Sequence, residues 1–97
     1  MAYVYILYSA KLDRYYIGST VLQPEERLHR HNTGYYTDKF TEKGIPWELF
    51  FTIFCNSRSQ AEAIEKHVKR MKSRVFIENL KRYPALVAKL KARYPDS

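Results

Sequence analysis

The stretch that decides the fold is residues 3–19, with the sequence YVYILYSAKLDRYYIGS. Residues 3–8 are all aromatic, β-branched or leucine, which is the composition of a β-strand. Residues 15–19 have the same character, and the polar residues between the two segments include the turn former Asp13. Because the connection is short, we predict that the two strands pair as an antiparallel hairpin.

Helix and strand signals continue along the rest of the chain. Pro24 suits the first turn of a helix, and Gly34 suits the position just after a helix end. Apolar spacing and serine caps predict the later elements. The predicted elements after the hairpin are a helix from Pro24 to about Asn32, a loop over 35–46, a strand from Trp47 to Cys55, and helices from about Ser57 to Lys72, from Ser73 and from Pro84.

The predicted order is β-β-α-β-α-α-α, which favours an α+β fold with a three-stranded antiparallel sheet flanked by helices. A length of 97 residues suits one domain with one modest core. We therefore expect a single domain over residues 1–97, with a core of 3–82 and a C-terminal helix over 84–94. The apolar stripe of the long helix is predicted to be Ala61, Ile64, Val68 and Met71.

The net charge of +7 is unevenly distributed along the chain. Residues 1–65 carry seven basic and eight acidic side chains, whereas residues 66–97 carry ten basic and two acidic ones. This asymmetry favours a polyanionic partner, most plausibly nucleic acid, over the alternative of a solubilising helix surface.

The cysteine count and the hydropathy pattern limit the compartment. Cys55 is the single cysteine, which excludes an internal disulfide and a cysteine-rich zinc site. Neither a signal peptide nor an apolar stretch of transmembrane length is visible, so we expect no membrane association and a cytoplasmic location.

Five residues stand out as candidates for chemistry. Arg27 and His31 are four residues apart, so they share one helix face, and Tyr5 and Tyr16 lie in paired strands. Glu65 lies at the boundary of its helix's apolar stripe. It can face solvent, pair with Lys69 one turn later, or turn into a cleft beside the sheet, and the sequence alone leaves these three open.

In combination these residues resemble the GIY-YIG nuclease superfamily, and more closely its small, single-domain bacterial branch. The likeness spans about residues 3–82. It includes the triplets Tyr3-Val4-Tyr5 and Tyr16-Ile17-Gly18, the helix segment 27–32, the helix segment 59–70 with Glu65, and Met71-Lys72-Ser73-Arg74. The first triplet departs from Gly-Ile-Tyr at its first position.

The resemblance implies hydrolysis of phosphodiester bonds with one divalent metal ion, Mg²⁺ or Mn²⁺. It assigns the metal to Glu65 and the scissile phosphate to Arg27. Tyr5 is then the general base for the attacking water, assisted by His31, and Tyr16 positions the water or the phosphate. A neighbouring cation would have to lower the pKa of Tyr5 for that role. Asn79 is a weak counterpart of an asparagine that follows the glutamate in larger members.

We therefore expect a metal-dependent endonuclease that acts on DNA without strong sequence specificity, in DNA repair or recombination. Branched, nicked or single-stranded ends are plausible targets, with Tyr35 and Tyr36 stacking on exposed bases. The nucleic-acid-binding residues are predicted to be Arg27, Lys69, Lys72 and Arg74, mostly on the C-terminal helices. The alternatives are a non-catalytic nucleic-acid-binding module, or a repair-protein adaptor that uses Phe76, Leu80 and Tyr83 as its contact.

Overall fold

The computed structural model describes residues 1–36 and 39–95, and it confirms the predicted α+β fold. The predicted strands and helices occur in the predicted order, with one addition. A short helix, Lys39–Lys43, lies inside the stretch that was predicted to be a loop. The elements are β1 (Ala2–Ser9), β2 (Arg14–Thr20), α1 (Pro24–Asn32), α2 (Lys39–Lys43), β3 (Trp47–Cys55), α3 (Arg58–Met71), α4 (Arg74–Arg82) and α5 (Pro84–Arg93).

The three strands form one antiparallel sheet in the order β2-β1-β3. Strand β1 is therefore central, which explains why its sequence is apolar or aromatic at nearly every position. The register places Tyr5 of β1 directly opposite Gly18 of β2. Strand β2 lies at one edge of the sheet, and this edge proves important for the candidate site.

The two faces of the sheet carry separate cores, because successive side chains of a strand point to opposite faces. On one face, Val4 and Ile6 of β1 pack with Ile64 and Val68 of α3, and helices α4 and α5 complete this larger core. On the other face, Tyr5 and Leu7 pack with Trp47 of β3, with Tyr16 and Leu28 against them. Helices α1 and α3 thus cover opposite faces.

Helices α2 and α1 are each hydrogen-bonded to Trp47. The Trp47 indole Nε1–H donates to the backbone oxygen of Thr41 in α2 at 2.8 Å. The side chain of Asn32 accepts from the Trp47 backbone N–H at 2.6 Å and donates to its carbonyl oxygen at 2.9 Å. The predicted loop folds as a helix there because Trp47 gives it a buried anchor, a tertiary contact that local propensity does not contain.

Helix α3 begins at a serine cap, where the Ser57 hydroxyl accepts from the backbone N–H of Gln60. Ala61, Ile64 and Val68 are buried as predicted. Met71 is 45% exposed, so its assignment to the apolar stripe was wrong. It is the last residue of α3, beyond the part of the helix that lies over the sheet.

No helix within residues 1–36 and 39–95 combines the length and the apolar character needed to cross a membrane.

Candidate active site

Tyr5 reaches across the sheet towards its edge strand, and Gly18 makes room for it. A Cβ atom on Gly18 would lie 2.5 Å from both Cζ and Oη of Tyr5, closer than any real contact allows. The glycine of the triplet Tyr16-Ile17-Gly18 is therefore explained by close approach of the Tyr5 phenol. The phenolic hydroxyl ends over β2 on the face that α1 covers.

The Tyr5 hydroxyl shares a buried hydrogen bond of 3.2 Å with Nε2 of His31. His31 belongs to α1 and is only 2% exposed. The next residue, Asn32, fixes α1 to β3 through its two hydrogen bonds with Trp47, so the imidazole is held in place from the end of its own helix. The Tyr16 ring packs against the imidazole at a centroid distance of 4.6 Å.

Arg27 lies one turn before His31 on α1 and contacts two phenol rings. Its guanidinium carbon is 5.6 Å from the centroid of Tyr5 and 5.3 Å from that of Tyr36. Within the described part of the chain Arg27 forms no ion pair, and its buried Nε–H has no hydrogen-bond partner. The guanidinium charge is therefore not neutralised by any described carboxylate, and it remains available to an anion.

The electrostatic environment of Tyr5 differs from the expectation. Burial raises the pKa of the Tyr5 phenol well above its usual value, and the Arg27 guanidinium offsets only part of that increase. The neighbouring cation is present, but desolvation outweighs it. Tyr5 is therefore a neutral hydroxyl at neutral pH, which can pass on a proton but does not exist as a standing phenolate.

Tyr36 is a member of this cluster that the sequence did not indicate. It was predicted to stack on bases together with Tyr35, yet its ring lies 4.6 Å from the imidazole of His31. Gly34, at a φ of +74°, turns the chain back at the end of α1. No sequence pattern could separate Tyr36 from Tyr35, which is 63% exposed, because the difference arises from the path of this turn.

Glu65 lies on α3, across the sheet from the cluster of Tyr5, Tyr16, Arg27, His31 and Tyr36. None of the contacts just described involves it. Its carboxylate oxygen Oε2 is 2.6 Å from Nζ of Lys69, and its side chain is 18% exposed. Of the three alternatives, the structure shows the ion pair with Lys69, in a side chain that is largely covered from solvent.

A cavity of about 220 Å³ lies beside the end of the edge strand, between α1 and α3; we call it the Arg27 cavity. Arg27 lines it from the α1 side, and Ala61 and Glu62 line it from α3. The end of β2 forms its floor through Ser19 and Thr20. Since Glu65 is one helical turn beyond Ala61 and Glu62, Arg27 and Glu65 border the same edge of the sheet.

The residues present fit a metal ion only if substrate and water supply most of its ligands. Within residues 1–36 and 39–95, no group of three or more His, Cys, Asp or Glu side chains is placed to hold a metal ion. Glu65 offers one carboxylate. Mg²⁺ is commonly bound by one or two carboxylates together with water and phosphate oxygens, so a single glutamate beside a phosphate-binding arginine is an acceptable donor set for it.

The predicted nucleic-acid-binding residues lie around the α3–α4 corner. Lys69 pairs with Glu65, and the Arg74 guanidinium makes two hydrogen bonds to the carboxylate of Asp13 at 2.8 and 3.0 Å. Lys72 is exposed. These side chains border β2, so the basic surface is continuous with the edge of the sheet that Arg27 and Glu65 border.

Two further residues named from the sequence lie away from the site described above. Asn79 borders a pocket formed with Tyr83 and residues of α5, and it lines neither the Arg27 cavity nor the α3–α4 corner. Leu80, one of the three residues proposed as an adaptor contact, is fully buried in the larger core, so it cannot form part of a docking surface.

The family model of the GIY-YIG catalytic domain matches residues 1–80 of the 97. Searches of the curated proteins and of the solved structures gave no significant match. The family match covers both tyrosine triplets, the Arg27–His31 helix and Glu65, and it points in general terms to a nuclease-type function with a nucleic-acid substrate. With this match and this fold, the chain belongs to the GIY-YIG family.

Proposed function

We propose that this protein is a metal-dependent endonuclease that hydrolyses phosphodiester bonds in DNA without strong sequence preference. The observation that carries the proposal is the Tyr5–His31 hydrogen bond beside the unneutralised guanidinium of Arg27. A proton-accepting pair next to an anion-binding group is what hydrolysis of a phosphodiester requires.

Arg27 binds the scissile phosphate in this proposal. The rings of Tyr5 and Tyr36 hold the guanidinium in place, so its donors are positioned before substrate arrives. Preorganised donors of this kind stabilise the charge that develops on the phosphate oxygens without having to reorient during the reaction. The absence of a described carboxylate partner leaves the positive charge for the substrate.

Tyr5 and His31 act together as the base. A phenol with a raised pKa is a poor base alone. The geometry offers a relay instead, in which the Tyr5 oxygen accepts a proton from the attacking water while its own proton passes to Nε2 of His31. No free phenolate forms in that route, so burial of Tyr5 does not oppose it. Tyr16 supports the imidazole by packing on it.

Glu65 holds the divalent metal, Mg²⁺ or Mn²⁺. When bound, the ion supplies a positive charge that polarises the phosphate and stabilises the leaving oxygen. Lys69 neutralises the carboxylate in the absence of metal, and the two must separate or share an oxygen when an ion binds. The Glu65 side chain is largely covered, which limits its motion and keeps it beside β2.

The substrate is DNA whose strands are accessible at a branch, nick or single-stranded end, and repair or recombination is the setting that such a substrate suggests. Arg27 with Lys69, Lys72 and Arg74 would bind its backbone, which predicts salt-sensitive and sequence-independent affinity. The sequence resembles a small bacterial branch of the family, and the DNA of bacteria is found in the cytoplasm. We therefore propose that the protein acts in the cytoplasm as a single domain.

Cleavage of branched and single-stranded DNA by the purified protein tests this function directly. We expect cleavage with Mg²⁺ or Mn²⁺ and none with EDTA, and we expect Glu65→Ala to remove it while the protein still binds DNA. A wild-type protein that binds each substrate and cuts none with either metal would contradict the enzyme assignment.

One observation favours a second candidate, a binding module without catalysis. The Lys69 ammonium lies 2.6 Å from Glu65, a geometry that leaves the carboxylate in an ion pair. If this pair is permanent, Glu65 is structural and no metal binds. Lys69→Ala separates the two functions, because it should raise metal affinity in a nuclease and leave a binding module without any metal-dependent signal.

A further inference from the structure

Two cavities lie between the edge strand and α3, and together we call them the β2–α3 groove; in the α3 sequence Glu65 falls between the residues that line one cavity and those that line the other. Strand β2 forms one wall and α3 forms the other. Arg58 and Glu62 of α3 line the Arg27 cavity, and Lys69 and Lys72 line a second cavity of about 300 Å³ at the α3–α4 corner. These four residues and Glu65 are spaced three or four apart, so they follow one face of the helix.

We call the second cavity the corner pocket. Its charged lining is four cations and one carboxylate: Arg14, Lys69, Lys72, Arg74 and Asp13. Lys69 is engaged by Glu65, and Arg74 by Asp13. Within residues 1–36 and 39–95, Arg14 and Lys72 form no ion pair, so the pocket retains two unneutralised positive charges.

Lys72 occupies a backbone position that normally favours glycine. It caps the end of α3 with φ 47° and ψ 42°, in the left-handed region. Residues other than glycine and asparagine are strained in that conformation. The strain places a lysine between α3 and the cap of α4, where the Ser73 hydroxyl accepts from the backbone N–H of Phe76. Lys72 thus adds a positive charge to the lining of a basic pocket, at a position where glycine would be less strained.

The separation of the two cavities matches a length of nucleic-acid strand. Glu62 lines one cavity and Lys69 the other, and seven residues of α-helix span about 10 Å. The proposed ligand Lys72 is ten residues beyond Glu62, which corresponds to about 15 Å at the helical rise, so one extended strand can reach both cavities. In the α3 sequence Glu65 lies between Glu62 and Lys69.

We propose that the corner pocket binds a second backbone phosphate of the DNA strand whose scissile phosphate is held by Arg27. Arg14 and Lys72 are its ligands. The inference rests on the proposed function and adds a direction to it: the strand runs along the β2–α3 groove, over Glu65. It also sets a minimum substrate, since a shorter strand cannot occupy both cavities.

The test is binding of single-stranded oligothymidylates of increasing length, measured by fluorescence anisotropy in EDTA so that nothing is cut. We expect affinity to rise in one step when the strand becomes long enough to reach both cavities. Lys72→Gly should remove the step and lower the salt slope by about 0.7 for the lost phosphate contact. Since glycine relieves the left-handed backbone, its melting temperature should not fall.

Arg14→Ala should reduce the step as well, and Lys89→Ala is the matched control. Lys89 is an exposed lysine of α5 that borders a different pocket, and its loss should leave the step intact. An affinity that rises evenly with length, an absence of binding, or an equal loss in the Lys72→Gly and Lys89→Ala proteins would overturn the inference. A length step in a protein that never cuts DNA would instead refute the nuclease and leave the strand path standing.

Discussion

The two faces of the sheet offer opposite environments for chemistry. On the α1 face, Tyr5 and His31 are buried among aromatic rings, and Arg27 is held between two of them. On the α3 side, Glu65 pairs with Lys69, and Lys69 lines the open, charged corner pocket. This contrast suits proton transfer on the α1 face, and metal and phosphate binding on the α3 side. Proton transfer benefits from a fixed and dry pair, whereas a metal ion and a phosphate backbone must arrive from water.

Removal of the Tyr5 hydroxyl should have the largest effect on cleavage, because it removes the proposed proton acceptor on the buried α1 face. Tyr5→Phe keeps the ring that packs over Gly18 and loses the hydrogen bond to His31. We expect the single-turnover cleavage rate to fall by about 10²- to 10⁴-fold, the usual contribution of a general base. Tyr3→Phe, two residues earlier on β1, is the control, and equal rates for the two variants would remove Tyr5 from the mechanism.

Arg27 is the residue that links the two sides, so its loss should be almost as costly. Arg27→Ala is expected to slow cleavage by about 10²- to 10³-fold, as for other groups that stabilise developing charge. The matched control is Arg30→Ala on the same helix. Arg30 already contacts Glu26 and the exposed ring of Tyr35, and its loss should be nearly neutral. A larger effect at Arg30 would place the phosphate elsewhere.

Substitution of Gly18 tests the position of the Tyr5 hydroxyl, because Gly18 lies where the Tyr5 phenol extends over the edge strand. Gly18→Ala puts a methyl group into the Tyr5 phenol, so we expect a loss of about 1–3 kcal/mol in the free energy of unfolding and a displaced hydroxyl. Gly34→Ala meets no atom within 4 Å but has a φ of +74°, so it should lose stability through backbone strain alone. Denaturant melts with cleavage rates would show whether only Gly18→Ala loses activity beyond its loss of folded protein.

The smallest expected effect concerns the groove's surface charges. The hydrogen bonds from Arg74, with a further contribution from Tyr8, hold the pKa of the Asp13 carboxyl well below its usual range. Because the pKa is lower in the folded state, this interaction stabilises the fold above about pH 4 and is lost progressively as the pH falls below that value. Arg74→Ala should therefore reduce the unfolding midpoint at pH 7, and the difference from wild type should shrink at pH 2–3. A difference that persists unchanged in acid would contradict this account.

The sequence was sufficient to predict the fold and most of the candidate site residues. It did not predict which face of the sheet each residue lies on. Strand alternation and helix caps predicted the sheet and the long helices, since these depend on local patterns. Helix α2 was missed because its anchor is Trp47, four residues beyond its end. Tyr36 was not assigned to the site because its position depends on the turn at Gly34.

The electrostatics were even less visible in the sequence. Arg27 next to Tyr5 suggested a lowered phenol pKa, whereas burial reverses that sign. Burial of a particular hydroxyl depends on how two elements pack, here α1 on the sheet, and no spacing of residues encodes the resulting desolvation. The same holds for Glu65, whose pairing and covering coexist only because α3 lies along β2.

We expect residues on both faces of the sheet to act in one metal-dependent reaction. A comparison of variants at Glu65 and at Glu62 tests this expectation. Both glutamates lie on α3, and each pairs with a basic residue one turn away. Single-turnover cleavage of end-labelled DNA should be measured against Mg²⁺ concentration for Glu65→Gln and Glu62→Gln. We predict that the Glu65→Gln protein loses Mg²⁺-dependent cleavage and that the Glu62→Gln protein keeps it. Equal activity of the two variants, or loss at Glu62 alone, would contradict it.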